Sequence, residues 1–109
     1  MIARLSLRTG EMNKTEARFA QWLDIGIREG RFVAKFFEDL TLRIGDNCRY
    51  TPDFAVLCAD MSFRFYEVKG FWRDDARVKI KVAASKFPMF AFFGVQWKSG
   101  GWEVEEFKP

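Results

Sequence analysis

Two short segments, Tyr50–Phe54 (YTPDF) and Tyr66–Arg73 (YEVKGFWR), decide how this sequence is expected to fold. Residues 55–58 (AVLC) and 63–66 (FRFY) are largely apolar and aromatic, and the turn-forming residues ADMS separate them. Short apolar runs bounded by turn residues are typical of β-strands. The sequence therefore predicts a hairpin that carries charged residues at one end.

The charged residues at that end are Asp53, Glu67 and Lys69. Alternate side chains of a strand share one face, so Glu67 and Lys69 are expected to be neighbours on the face that also carries Phe63 and Phe65. Two carboxylates beside a lysine suit a hard divalent cation with a basic group next to it. Taken singly, each residue is better explained as turn chemistry or as a polar patch on a half-exposed strand. The interpretation rests on their combination.

The order of these motifs resembles the PD-(D/E)XK nuclease superfamily. The matching residues are Pro52 and Asp53, then Glu67 and Lys69 in the Glu-x-Lys motif, with Glu16 on an upstream helix. The similarity is greatest to small phage-encoded endonucleases related to the Holliday-junction resolvases. It implies a metal-dependent DNA endonuclease that hydrolyses phosphodiester bonds, with branched or structured DNA as the expected substrate.

The resemblance also implies a fold and a domain organisation. The fold would be α/β and restriction-endonuclease-like, with a mixed central sheet flanked by helices in a single small domain. That domain would span residues 13–109, and residues 1–12 would be an N-terminal extension. Ile2, Leu5 and Leu7 of the extension could form a short edge strand or pack on a partner chain, and the sequence leaves both open.

Roles for individual site residues follow from the same resemblance. Asp53 and Glu67 would bind Mg²⁺, for which Mn²⁺ would substitute, with the Val68 carbonyl as a third ligand. Glu16 would hold a second ion or its water. Lys69 would orient or deprotonate the attacking water, or stabilise the charge that develops on the phosphate. Glu16, Asp53, Glu67 and Lys69 are thus the expected catalytic residues.

A basic segment follows the Glu-x-Lys motif. Residues 69–86 contain six basic and two acidic side chains, a local charge of +4 in a chain whose net charge is +3. Such a segment suits a phosphate backbone, although charge alone would favour a solvated surface. The residues expected to contact DNA are Lys69, Trp72, Arg73, Arg77, Lys79 and Lys81. Trp72 is explained equally well as a cover for the core edge.

Composition excludes several other classes of protein. The chain has 109 residues, 49% of them hydrophobic, with thirteen Phe and four Trp, which predicts one globular domain. It has no histidine, so His-based acid–base catalysis and the common zinc sites are excluded. Cys48 and Cys58 lack metal-ligand spacing and are expected to be reduced in a cytoplasmic protein. Neither a membrane partner nor an organic cofactor is expected.

Two helices are predicted. Asn13 is a good N-cap for a helix from Lys14 to Glu29, and Glu16 occupies the capping-box position. Spacing favours Glu16 as part of the cap, whereas the resemblance favours it as part of the metal site. Residues 74–87 alternate like a strand in part, but an apolar helical face and the following Pro88 favour a helix.

The remaining segments are predicted strands. Residues 32–37 and 40–44 are expected to form a meander, and 45–47 a turn. Residues 89–96 and 102–107 are expected to pair around a hairpin turn.

The sequence also indicates how DNA would be recognised, and it leaves two other functions open. The chain has no separate recognition domain, so recognition of shape or backbone is expected over base readout. One small subunit covers little of a duplex, so a symmetric homodimer is a reasonable hypothesis. A non-catalytic nucleic-acid-binding module of the same fold stays open. So does a small phage interaction protein whose aromatic surface (Phe71, Trp72 and Trp97) binds a host factor.

Overall fold

The computed structural model describes residues 11–70 and 74–109 together with the backbone of residues 3–5. Over these residues the helices and strands are, in order, β1 (Ala3–Leu5), α1 (Lys14–Arg28), β2 (Phe32–Phe37), β3 (Leu40–Gly45), β4 (Cys48–Tyr50), β5 (Phe54–Cys58), β6 (Phe63–Lys69), α2 (Asp74–Lys86), β7 (Ala91–Lys98) and β8 (Gly101–Phe107). The element types agree with those predicted from the sequence, including the helix over residues 74–86.

Five strands form a mixed central sheet in the order β2-β5-β6-β7-β8. All neighbouring strands in it are antiparallel except β6 and β7, which are parallel. Parallel neighbours need a crossover connection, and α2 provides it here. The predicted hairpin over residues 55–66 is confirmed as β5 and β6, with Phe54 opposite Tyr66. The chain is therefore an α/β protein, as expected.

A second sheet contains three strands in the order β1-β3-β4. Residues 3–5 form its outer strand by pairing with β3, which agrees with the edge-strand alternative for the N-terminal extension. The predicted meander of residues 32–37 and 40–44 is wrong, because β2 pairs with β5 and β3 pairs with β1 and β4.

Burial explains why β2 and β3 separate. Phe32 of β2 packs in the cluster with α1, whereas Leu42 and Ile44 of β3 pack in the cluster with α2. β3 thus packs on the α2 side, whereas β2 belongs to the central sheet and has side chains on both of its faces, with Phe36 toward the α2 cluster. The short connection between them includes Glu38 at φ +52°, in the left-handed region where the chain can turn sharply.

Two hydrophobic clusters, one on each face of the central sheet, give the molecule three layers. On one face α1 contributes Phe19 and Leu23, which pack with Phe54, Val56 and Tyr66 of the sheet. The other face is covered by both α2 and the small sheet. Its buried residues include Leu42, Tyr50, Phe65, Ile80, Ala83, Phe87 and Phe92. The gap between α1 and α2, at the end of β6, is where the expected site residues lie.

Local sequence explains the two helices. α1 begins with a complete capping box, in which the Asn13 side chain accepts from the Glu16 N–H at 2.8 Å and Glu16 Oε1 accepts from the Asn13 N–H at 2.9 Å. α2 buries Ile80, Ala83 and Ala84 and leaves Val78 and Val82 exposed. The symmetric homodimer expected from the sequence stays a prediction.

No helix in the described part of the chain is both long enough and apolar enough to cross a membrane.

Candidate active site

Asp53 is fixed between two backbone segments. Its Oδ2 accepts a hydrogen bond from the Val68 N–H at 2.8 Å, and its own carbonyl accepts one from the Glu38 N–H at 2.9 Å. Pro52 before it is fully buried, so the chain enters β5 at a defined place. The antiparallel register of β5 and β6 thus joins the Pro-Asp motif to the Glu-x-Lys strand, as the sequence predicted.

Glu67 is the one buried charged side chain among the described residues, with 7% of its surface exposed. The Tyr50 hydroxyl donates to its Oε1 at 2.7 Å, and the Lys69 ammonium lies 3.1 Å from Oε2. A buried carboxylate is stable only when its charge is compensated by such partners. Glu67 and Lys69 are neighbours on one face of β6, as expected from the strand period.

A side-chain hydrogen bond also fixes the end of β6. The Gln96 amide of β7 donates to the Gly70 carbonyl at 2.5 Å, directly after Lys69. Gln96 lies opposite Lys69 in the parallel register of β6 and β7. The parallel pair therefore holds in place the strand end that carries the lysine.

The electrostatic environment raises the pKa of Asp53 to about 7. Burial of the carboxyl is the largest cause and the negative charge of Glu67 the next, while the Val68 N–H and the Lys69 ammonium act in the opposite direction. The charge of Glu16 raises it further. Asp53 is therefore a carboxyl group whose ionised form the protein does not fully stabilise by itself.

Lys69 responds to the same charges. Burial alone would lower the pKa of its ammonium, but attraction by Glu67, Asp53 and Glu16 outweighs burial and raises that pKa above its usual value. In the protein without a metal ion, Lys69 is thus held as a cation. Of the roles expected for Lys69, orientation of water and charge stabilisation fit this state, and deprotonation of water does not.

Glu16 takes part in the predicted cap and also lies near the other expected site residues, while its role in a metal site stays a prediction. It closes the capping box of α1, and it also lines an open cavity of about 440 Å³ together with Asp53, Val68 and Lys69. Its charge acts on Asp53 and Lys69, which agrees with this position. One carboxylate oxygen is used by the cap, and no hydrogen bond to the other is found among the described residues.

The expected metal ligands fit a hard cation only in part. Within the described residues, no group of three or more Asp, Glu, Cys or His side chains is arranged to hold a metal ion. Asp53, Glu67 and Glu16 offer carboxylate oxygens, the ligand type that Mg²⁺ prefers, but Glu67 already has a partner on each oxygen. A site as the resemblance implied would rest on Asp53, Glu67 and the Val68 carbonyl, and the cation would share an oxygen of Glu67 with Tyr50 or Lys69.

The residues expected to bind nucleic acid lie in different environments. Arg77 donates two hydrogen bonds to Glu105 of β8, and its guanidinium lies 5.2 Å from the centre of the Phe107 ring. Its assignment to DNA stays a prediction that this pairing disfavours. Lys79 is exposed beside the site, and Lys81 lies close enough to lower the pKa of Glu105. Trp72 and Arg73, like Phe71, lie outside the described residues.

Sequence reasoning gave no role to Tyr50 or Arg49, although both line a cavity with Glu67 and Lys69. Tyr50 opens the YTPDF segment, and the signal was its place at the end of a strand that leads directly to Asp53. Alternation along β4 buries Tyr50 and exposes Arg49. The contact between Tyr50 and Glu67 depends on how the small sheet packs on the central sheet, which no local sequence pattern encodes.

Comparisons with protein-family models, with curated proteins and with solved structures found no match to this chain.

Proposed function

We propose that this protein is a metal-dependent DNA endonuclease of the PD-(D/E)XK type, with a restriction-endonuclease-like fold. The observation that carries the proposal is the convergence of Asp53, Glu67 and Lys69 at one end of β5 and β6, with Glu16 lining the same open cavity as Asp53 and Lys69. In the described part of the chain, none of these carboxylates is paired with an arginine. Asp53 and Glu16 each keep one carboxylate oxygen without a hydrogen bond among the described residues, and these oxygens are open to a cation.

The raised pKa of Asp53 supports a cation-binding role. A structural carboxylate is normally buried with partners that favour its charged form, whereas Asp53 lies next to Glu67 and Glu16, which disfavour it. Perturbed carboxyl groups in open cavities are concentrated at functional sites. A divalent cation would relieve the repulsion among these groups.

Under this proposal Asp53 and Glu67 would hold Mg²⁺ or Mn²⁺, with the Val68 carbonyl, and Glu16 would lie at the outer side of the site. A bound divalent ion would supply an activated water and neutralise charge on the phosphate. Lys69, held as a cation by Glu67, would orient the nucleophile and stabilise the negative charge of the transition state. Branched or structured DNA is the proposed substrate class, because the sequence most resembles small endonucleases related to the Holliday-junction resolvases.

A cleavage assay tests the proposal. Supercoiled plasmid and a four-way junction are incubated with the protein in Mg²⁺, in Mn²⁺ and in chelator, alongside Lys69→Ala. Lys98→Ala is the matched control, because Lys98 is an exposed lysine that pairs with Glu103 at 3.7 Å on another part of the sheet. We expect cleavage that requires the metal, is lost in Lys69→Ala and is retained in Lys98→Ala.

Two other results would contradict the proposal, and each would favour a different function. Junction binding without cutting under any metal condition would favour a non-catalytic nucleic-acid-binding module. Absence of DNA binding at low salt would favour a protein-interaction role for the aromatic surface.

A further inference from the structure

A second cavity adjoins the carboxylate site on its basic side. Its volume is about 320 Å³, and Arg49, Glu67, Lys69, Asp75 and Lys79 are among its lining residues. Lys69 and Asp75 also line the cavity that contains Glu16 and Asp53. The two cavities are therefore parts of one groove that passes over Lys69, between α2 and the β4 edge of the small sheet.

The two halves of this groove differ in charge. The half with Glu16 and Asp53 is acidic, which suits a cation. In the other half Glu67 and Lys69 neutralise one another at 3.1 Å, which leaves Arg49 and Lys79 against Asp75. That half has a net positive charge and suits a phosphate.

Among the described residues that line the basic half, Arg49 and Lys79 are the cations available to a ligand. Both are exposed, and no ion pair engages either of them among the described residues. Other basic side chains nearby have partners: Arg77 pairs with Glu105, and Arg43 lies 3.2 Å from Asp46. The unpaired state of Arg49 and Lys79 leaves their donors for a ligand.

The helical period separates Lys79 from the other basic residues of α2. Asp75, Ala76 and Lys79 line the groove, so this face of α2 points to the site. Arg77 and Lys81 are four residues apart and share the face toward Glu105 of β8. Only part of the basic segment predicted from the sequence thus faces the groove.

Arg49 also extends the groove away from the site. It lines a further cavity of about 480 Å³ with Arg43, Gly45 and Asn47, at the turn between β3 and β4. β4 is an edge strand, and Arg49 and Arg43 lie opposite each other in its pairing with β3. Side chains directly opposite in an antiparallel pair share one face of the sheet. A basic path therefore leads from Lys79 past Arg49 to this hairpin.

We infer that Arg49 and Lys79 bind the phosphates of the DNA backbone next to the cleaved one, so that the strand leaves the site along the β3–β4 hairpin. This inference rests on the proposed function for the identity of the ligand. It assigns DNA contact to the small sheet, which sequence analysis did not implicate, and it excludes Arg77 and Lys81 from that contact.

Binding measured without catalysis tests the inference. A fluorescein-labelled four-way junction and a duplex are titrated with the full chain in chelator at several salt concentrations. Arg49→Gln and Lys79→Gln should each weaken binding to both substrates and lower the slope of log affinity against log salt by about 1. Lys81→Gln is the matched control on the same helix, and its slope should equal that of the wild type. Arg49→Lys should retain most of the slope, which excludes a folding defect as the cause.

The outcomes separate this inference from the proposed function. If Lys69→Ala abolishes metal-dependent cleavage but Arg49→Gln and Lys79→Gln bind like the wild type, the inference is overturned and the nuclease stands. If the protein never cleaves but binding depends on Arg49 and Lys79 and not on Lys81, the inference stands and the nuclease falls. An equal loss in Lys81→Gln would indicate diffuse charge attraction and would overturn the inference.

Discussion

The Tyr50 hydroxyl donates a hydrogen bond to Glu67 at 2.7 Å, and this bond joins the small sheet to the central sheet at the site. Tyr50 lies at the end of β4, and Glu67 lies near the end of β6. Both side chains are buried, so neither can exchange its partner for water without opening the layer between them. The orientation of the Glu67 carboxylate is therefore set by residues of both sheets.

Tyr50→Phe should remove this hydrogen bond and keep the ring in the core. We expect a loss of about 1–3 kcal/mol in the free energy of unfolding, because a buried carboxylate loses a donor. Cleavage should need a higher Mg²⁺ concentration, because Glu67 would be less well oriented. Urea unfolding and the Mg²⁺ dependence of the cleavage rate measure the two effects.

Tyr66→Phe is the matched control for that variant. Tyr66 is also buried on β6, but it packs on the opposite face of the sheet against Phe19. Its variant should leave the Mg²⁺ dependence unchanged. An equal shift of the Mg²⁺ dependence in both variants would show that looser core packing, rather than loss of the hydrogen bond to Glu67, causes the effect.

Asp53 should make the metal-free protein less stable at higher pH. Its pKa is raised from 3.8 to about 7, chiefly by burial and by Glu67, so the folded state binds more protons than the unfolded state between these two values. The stability that protonation provides is complete below about pH 4 and is lost as the pH rises through about 7. Unfolding in urea and chelator at pH 5, 6, 7 and 8 should show this decline, other groups being equal.

Asp53→Asn should reduce that decline, because the amide does not titrate. At pH 8 we expect the variant to be more stable than the wild type by on the order of 1–3 kcal/mol, and at pH 5 the two should be similar. Asp46→Asn, at an almost fully exposed site that pairs with Arg43, should follow the wild-type profile. Parallel profiles for Asp53→Asn and the wild type would contradict the raised pKa.

Glu16 can be tested for its two roles separately. Glu16→Gln keeps a side-chain oxygen that can accept from the Asn13 N–H but removes the charge, whereas Glu16→Ala removes both. Glu16→Gln should keep the melting temperature close to that of the wild type and reduce metal-dependent cleavage at least about tenfold, since a ligand charge would be lost. Glu16→Ala should also lose about 1 kcal/mol of stability. If Glu16→Gln cleaves like the wild type, the residue acts only as a cap.

The sequence predicted the parts of the site that are local and missed the parts that depend on layer packing. Alternation in β6 placed Glu67 beside Lys69, and the capping-box spacing placed Glu16 at the start of α1. The pairing of β2 and β3 was predicted wrongly, because two strands adjacent in sequence were assigned to one sheet, whereas β2 lies at the edge of the central sheet and β3 in the small sheet that covers it. Tyr50 and Arg49 reach the site through the position of the small sheet, which only tertiary packing determines.

Composition predicted a basic segment, but in the structure its residues lie on different faces of α2. Residues two positions apart in a helix point to different sides, because one turn takes about 3.6 residues, so closely spaced basic residues do not form one surface. Arg77 stabilises α2 against β8, while Lys79 faces the groove. A count of charges could not distinguish these roles.

The central claim is that Asp53 and Lys69 act with a divalent cation to hydrolyse phosphodiester bonds. Its most direct test is the single-turnover cleavage rate of a four-way junction in Mg²⁺ for the wild type, Asp53→Asn, Lys69→Ala and Asp46→Asn, each shown to be folded. We predict a loss of at least about a hundredfold for the two site variants, no change for Asp46→Asn, and no cleavage by any of the four proteins in chelator. Equal rates in the wild type and Asp53→Asn, or cleavage that persists in chelator, would contradict the account.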